Sequence, residues 1–175
     1  MLVTLSGLPG SGTSTVARMV AAALGLEHLD GGTVFRAAAA ERGLSLAAFA
    51  ALAEADDAID RALDDRLTER ARAGDVLLES RLAGWLATRA DLAALRIWIA
   101  CDEVERARRV AQREGHDPDE ALAHNRLREG SERARYLGYY GIDLTDLSIY
   151  DLVLDSTETG PDHLVAAITD LVAAR

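Results

Sequence analysis

The chain has 175 residues, 49% hydrophobic and 27% charged, with 19 basic residues against 29 acidic ones and a net charge of −10. That length accommodates one domain with a sizeable core, and the acidic balance argues against general nucleic-acid binding. No apolar run reaches the roughly 18 residues that span a membrane, and the N-terminus carries neither a basic n-region nor a cleavage pattern, so the chain is expected in the cytoplasm. All the basic residues are arginine and lysine is absent; high-GC coding and a salty cytoplasm both account for that. The single cysteine, Cys101, has no partner for an intramolecular disulfide.

In chain order, Leu2 to Leu5 form a short apolar strand. A loop with Gly7, Gly10 and Gly12 follows, then a helix from Thr13 to Leu24 with Gly25 as its stop. Leu26 to Leu29 is a short second strand. Asp30-Gly31-Gly32 signals a turn, with Thr33 as N-cap of a helix through Arg42. Ser45 caps a helix from Leu46 to about Glu54. Asp56 or Asp57 opens a longer one to about Ala73, with Ile59, Leu63 and Leu67 on one side. Val76-Leu77-Leu78 reads as a buried parallel strand, Trp85 to Asp91 as helix, and Leu95 to Ala100 as a fourth strand. Asp102 and Glu105 resemble a capping box for a helix to Glu114. Asp117, Pro118 and Glu120 open another, from about Pro118 to Leu137. Residues 138–150 read as loop or a short helical turn, Asp151 to Asp155 as the last strand, and Pro161 as the start of a terminal helix. The pattern predicts a three-layer α/β fold with a five-stranded parallel sheet.

Strand, glycine-rich loop and helix form the context of a phosphate-binding P-loop. Here it comprises Gly7, Leu8, Pro9, Gly10, Ser11, Gly12, Thr13, Ser14 and Thr15. Inward-facing N–H groups and the positive end of the helix dipole would cradle the phosphates of ATP, Ser14 would hold Mg²⁺ and Thr15 a phosphate oxygen. Thr13 occupies the slot that usually holds lysine, so another residue must supply positive charge. Arg36, after the glycine pair, and Arg81, at the carboxyl edge of the sheet, are candidates because a guanidinium grips phosphate in bidentate fashion; a surface position is the other reading of each. Glu79, ending the third strand, stands where an acid would orient Mg²⁺ through water. Residues 106–135 hold eight arginines. Arg106, Arg109 and Arg113 share one helix face, and Arg128, Glu132 and Arg135 another, which points to an arginine-rich lid at about residues 113–135. The four histidines show no ligand spacing, so no structural metal is expected.

These segments closely resemble the archaeal-type cytidylate kinases: GLPGSGTST at 7–15, LDGGTVFR at 29–36, ERGLSLAAFAALAEADDAIDRALDDR at 41–66, VLLESRLAGWL at 76–86 and SERARYLGYYGIDLTDLSIYDLVLDST at 131–157. The resemblance implies transfer of the γ-phosphate of ATP to CMP, and to dCMP, with Mg²⁺. It implies a single kinase domain with a core of residues 1–30, 74–112 and 148–175, an acceptor-binding insert of helices at 33–70 and the lid. It assigns Arg36 and Arg81 to the acceptor phosphate, Arg128 and Glu132 to its ribose, and Arg135 to its phosphate, which makes Arg81, Arg128 and Arg135 the catalytic set. A monomer is expected, without nucleic acid or membrane as partner. The bacterial branch has an aspartate after the strand-three arginine, which reads the cytosine amino group; here that residue is Leu82. Two other readings stay open: a related kinase of another phosphorylated acceptor, and an ATP-binding regulatory protein without turnover.

Overall fold

The computed structural model describes residues 1–174. Five strands, β1 (Leu2–Gly7), β2 (Glu27–Asp30), β3 (Val76–Glu79), β4 (Leu95–Ala100) and β5 (Leu152–Asp155), form one parallel sheet in the order β2-β3-β1-β4-β5. The first strand of the sequence is therefore central, and the chain winds outward on both sides of it. Strands buried on both faces need continuous apolar runs, which is why β1 and β3 have every residue buried.

The helices are α1 (Thr13–Leu24), α2 (Gly31–Glu41), α3 (Leu46–Ala55), α4 (Asp57–Arg72), α5 (Ala83–Arg89), α6 (Glu103–Glu114), α7 (Pro118–Tyr140) and α8 (Pro161–Ala173). On one face, α1 and α8 close Val16, Val20, Leu164 and Ile168 over Val3, Leu5, Ile97 and Ile99. On the other, Leu67, Leu82 and Leu86 of the α4–α5 side meet Val76, Leu78, Ile142 and Leu144. The insert α2–α4 has a small core of its own, Ala38, Ala39, Phe49 and Leu63, with Phe35 and Phe49 ring centroids 4.8 Å apart. Helices α6 and α7, joined by residues 115–117, pack through Val110, Ala111 and Ala121.

The structure corrects three local expectations. Asp30, not Thr33, caps α2: its carboxylate accepts from the Gly32 N–H at 2.8 Å, and the Thr33 hydroxyl donates to it at 2.5 Å. The glycine pair is thus the first turn of the helix. Glycine is required there by proximity, since a Cβ on Gly31 would lie 2.9 Å from Ser80 Cβ. Glu105 does not complete a capping box; Asp102 caps α6 alone, because the Glu105 carboxylate is taken by Arg108 and Arg109 at 2.7–2.8 Å. Helix α7 continues to Tyr140, three residues past the expected end, and stops at Gly141 with φ +62°.

Candidate functional site

The P-loop links the end of β1 to α1, at the carboxyl edge of the sheet where ligands of such folds bind. Gly10 has φ +85°, and a Cβ there would stand 2.5 Å from the Arg106 carbonyl oxygen. The loop is therefore pressed against the first turn of α6, and only glycine fits. Thr13 is 8% exposed and its methyl faces Gly7, so the residue in the lysine slot packs inward and contributes no charge.

Three guanidiniums flank the loop instead. Arg81 Nη1 donates to Gly7 O at 2.9 Å, and Arg106 Nη1 donates to Pro9 O at 3.1 Å. Arg109 Nη1 lies 3.8 Å from where a Cβ on Gly12 would stand. A glycine-rich loop followed by the start of a helix already presents N–H groups and a partial positive charge to an anion. The three arginines add permanent charge around it.

Ser14 and Glu79, each expected at Mg²⁺, lie side by side. The Ser14 hydroxyl donates to Glu79 Oε1 at 2.6 Å. The other carboxylate oxygen is held by His28 Nε2 at 2.8 Å, a residue that spacing arguments passed over. The pairing is legible in the strand register: His28 lies opposite Leu77 in a parallel pair, and Glu79, two residues on, shares Leu77's face. A hydroxyl beside a carboxylate is a hard-oxygen donor set that fits Mg²⁺, an ion that keeps several waters and needs few protein ligands. Among the described residues no group of three His, Cys, Asp or Glu side chains that could hold a metal ion exists.

Glu132 joins two arginines. Its Oε2 accepts from Arg81 Nε at 3.0 Å and its Oε1 from Arg128 Nε at 2.9 Å. Burial alone would raise the Glu132 pKa; the two guanidinium charges outweigh it and hold the carboxyl below its usual range. Arg135, on the same face of α7, is 9% exposed and faces Asp60 of α4, with 3.6 Å between Nε and Oδ2. Burial raises the Asp60 pKa, Arg135 opposes the rise, and the nearby Glu132 and Asp57 add to it. Arg36 stands apart and more exposed, bonded to Thr33 Oγ1 at 2.8 Å and Asp30 Oδ2 at 3.2 Å.

The arginines expected to form one stripe of the lid divide between three tasks. Arg106 is 4% exposed and ties the P-loop and Cys101 O to Glu129 of α7. Arg109 bonds Ser156 O at 2.6 Å and Glu105 at 2.7 Å. Arg113 is exposed and pairs with Glu114. Helical spacing defines a face, but partners from α7 and the β5–α8 loop decide what that face does. Those two loop residues, Ser156 and Thr157, were missing from the sequence reading. With Ser11, Gly12, Thr15 and Arg109 they line a cavity of about 370 Å³ beside the P-loop, and Ser156 Oγ donates to Ser11 O at 2.8 Å.

Similarity to known proteins runs end to end. The cytidylate kinase of Halobacterium salinarum is 50% identical over 175 residues, covering 99% of this chain and 90% of that protein. The cytidylate kinase of Pyrococcus horikoshii is 44% identical over 168 residues, covering 96% and 86%. Among solved structures, shikimate kinase from Bacteroides thetaiotaomicron matches with a TM-score of 0.66 at 12% identity, over 99% of this chain and 98% of that one. A gluconokinase from Sinorhizobium meliloti matches at 0.60 and 17%, over 94% and 86%; at these identities the likeness shows a shared fold. The model of the cytidylate kinase-like family matches residues 2–158, and the chain belongs to that family.

Proposed function

We propose that this protein transfers the γ-phosphoryl group of ATP to CMP, giving CDP and ADP, with dCMP as a second acceptor and Mg²⁺ as cofactor. The observation that carries the reading is Arg81, which bonds Gly7 O of the P-loop on one side and Glu132 of the acceptor side on the other. It stands between the two halves of the site in a chain 50% identical to a cytidylate kinase.

The P-loop N–H groups hold the β-phosphate, and the cavity beside Arg109 and Thr157 takes the base of the donor nucleotide. Ser14, and Glu79 through water, would hold Mg²⁺, which would supply neutralising charge to the phosphate oxygens. Arg81 and Arg135 bring the acceptor phosphate in line with the γ-phosphate, Arg36 supports it from α2, and Arg128 with Glu132 orients the ribose. An acceptor phosphate oxygen forms the new P–O bond as the bond to the β-phosphate oxygen breaks, and ADP leaves with that electron pair. The acceptor is already anionic, so no general base is required; positioning and charge stabilisation supply the catalysis. The permanent charges of Arg81, Arg106 and Arg109 stand in for the absent loop lysine. The protein acts as a monomer.

A coupled ADP-release assay across CMP, dCMP, UMP, AMP and shikimate tests the reading. The highest kcat/KM is expected for a cytidine nucleotide, and preference for any other acceptor overturns it. ATP binding without turnover on any acceptor would instead mark a regulatory protein.

A further inference from the structure

Cytosine differs from uracil at one edge, where an exocyclic amino group donates in place of a carbonyl that accepts. A carboxylate is the side chain suited to that amino group. The residue after Arg81 is Leu82, apolar and 3% exposed, so it offers no acceptor. Among the shielded carboxylates of the site, Glu79 has both oxygens engaged by Ser14 and His28. Glu132 has both engaged by Arg81 and Arg128. Asp64 accepts from the Tyr140 hydroxyl at 2.7 Å.

Asp60 differs from all three. It sits on α4, in the helical insert, and is 7% exposed, yet its Oδ2 has no hydrogen-bond partner among the described residues. The group it faces, Arg135 Nε, is 3.6 Å away, beyond hydrogen-bond reach. Arg135 Nε and Nη1 are likewise buried without partners. A buried acceptor and a buried donor that face each other unsatisfied are an exception among folded proteins, and a ligand with complementary groups removes it.

We propose that Asp60 is the specificity residue for the acceptor base, its Oδ2 accepting a hydrogen bond from the exocyclic amino group of cytosine. The assignment rests on the CMP reading above. Acceptor binding exchanges the loose Asp60–Arg135 contact for two better ones, Arg135 with the phosphate and Asp60 with the amino group. A uracil would set its carbonyl oxygen against the same carboxylate, so the residue rejects one base as it selects the other. Asp57, Asp64 and Glu132 are other acids near this carboxylate; Asp64 accepts from the Tyr140 hydroxyl and Glu132 is committed to its two arginines.

The test is kcat/KM for CMP and for UMP in the wild type, Asp60→Ala and Asp60→Asn, each checked for ATP binding by calorimetry. Asp60→Ala is expected to lower the CMP value by about 30–100-fold and the UMP value by less than about threefold, so that the CMP/UMP ratio falls at least tenfold. Asp60→Asn, which keeps the shape but adds an N–H donor, shifts preference toward UMP and carries the test if the alanine variant fails to fold. Equal losses on both acceptors, with the ratio unchanged, overturn the assignment and leave Asp60 as a residue that only positions Arg135. A wild-type enzyme with no preference for CMP overturns the underlying reading, whereas a wild-type preference that survives both substitutions overturns Asp60 alone.

Discussion

Arg81 has two nitrogens engaged, Nε on Glu132 and Nη1 on Gly7 O, while Nη2 makes no hydrogen bond among the described residues. That is the state of a guanidinium fixed on two sides and open on the third. A lysine has one ammonium and cannot keep two such anchors while gripping a phosphate. Arg81→Ala is therefore expected to lower turnover at least about 10²-fold, with Arg81→Lys recovering little of it. Steady-state kinetics with ATP and CMP decides, and a near-normal rate in either variant removes Arg81 from the reacting centre. The position of Arg81 was legible because an arginine just past a buried strand lies at the ligand edge of a parallel sheet. Helical spacing and resemblance both singled out Glu132, but its pairing with Arg81, 51 residues away, was not legible, since no local pattern links them. His28 was missed for a related reason: its role depends on which strand lies beside β2, and strand order is a tertiary fact.

Among the elements, α7 is the one that holds the site together. Its first turns pack on α6 through Ala121, and Glu129 takes Arg106. Its middle carries Arg128, Glu132 and Arg135. Its last turns reach the insert: Tyr139 OH donates to Ala53 O and Glu54 O at 2.9 and 2.7 Å, and Arg61 Nη2 donates back to Tyr139 O at 2.7 Å. The periodic helices were legible from spacing and caps. The final turn of α7 was not, because tertiary contacts of Tyr139 and Tyr140, invisible to helical spacing, hold it. Where α7 meets α4, burial pushes the Asp64 carboxyl up to about 7 against the pull of the Tyr140 hydroxyl, and Asp60 and Asp65 add to the rise. A carboxyl raised in the folded state binds more protons there than in the unfolded chain. Its contribution to stability is full below the ordinary value of 3.8 and is lost as pH climbs to about 7. Asp64→Asn keeps an acceptor for Tyr140 and does not ionise. The melting temperature of this variant relative to wild type is expected to rise by about 3–6 °C between pH 4 and pH 7.5. A difference that stays flat across that range shows that Asp64 is ionised throughout.

At the scale of the whole molecule, 29 acidic side chains face 19 arginines, leaving ten negative charges in excess. Arg106 and Arg135 are buried, and so are Asp60, Glu79 and Glu132, so nearly all of the negative excess lies on the outer surface. Two effects of salt then compete. Exposed ion pairs such as Arg61–Asp57 at 2.7 Å, Arg108–Glu105 at 2.7 Å and Arg126–Glu103 at 2.8 Å each contribute little to stability. Their separations are shorter than the Debye length of about 3 Å at 1 M, so they are only partly screened. The repulsion among excess carboxylates acts over distances comparable with the Debye length of about 10 Å at 0.1 M, and it is largely removed at 1 M. The long-range term loses more, so salt stabilises the fold. Thermal unfolding in KCl from about 0.05 to about 1 M is expected to raise the melting temperature by a few degrees, with most of the gain below about 0.5 M where the screening length changes fastest. A melting temperature that falls over this range would show that the contact pairs, and not the excess charge, dominate the surface electrostatics.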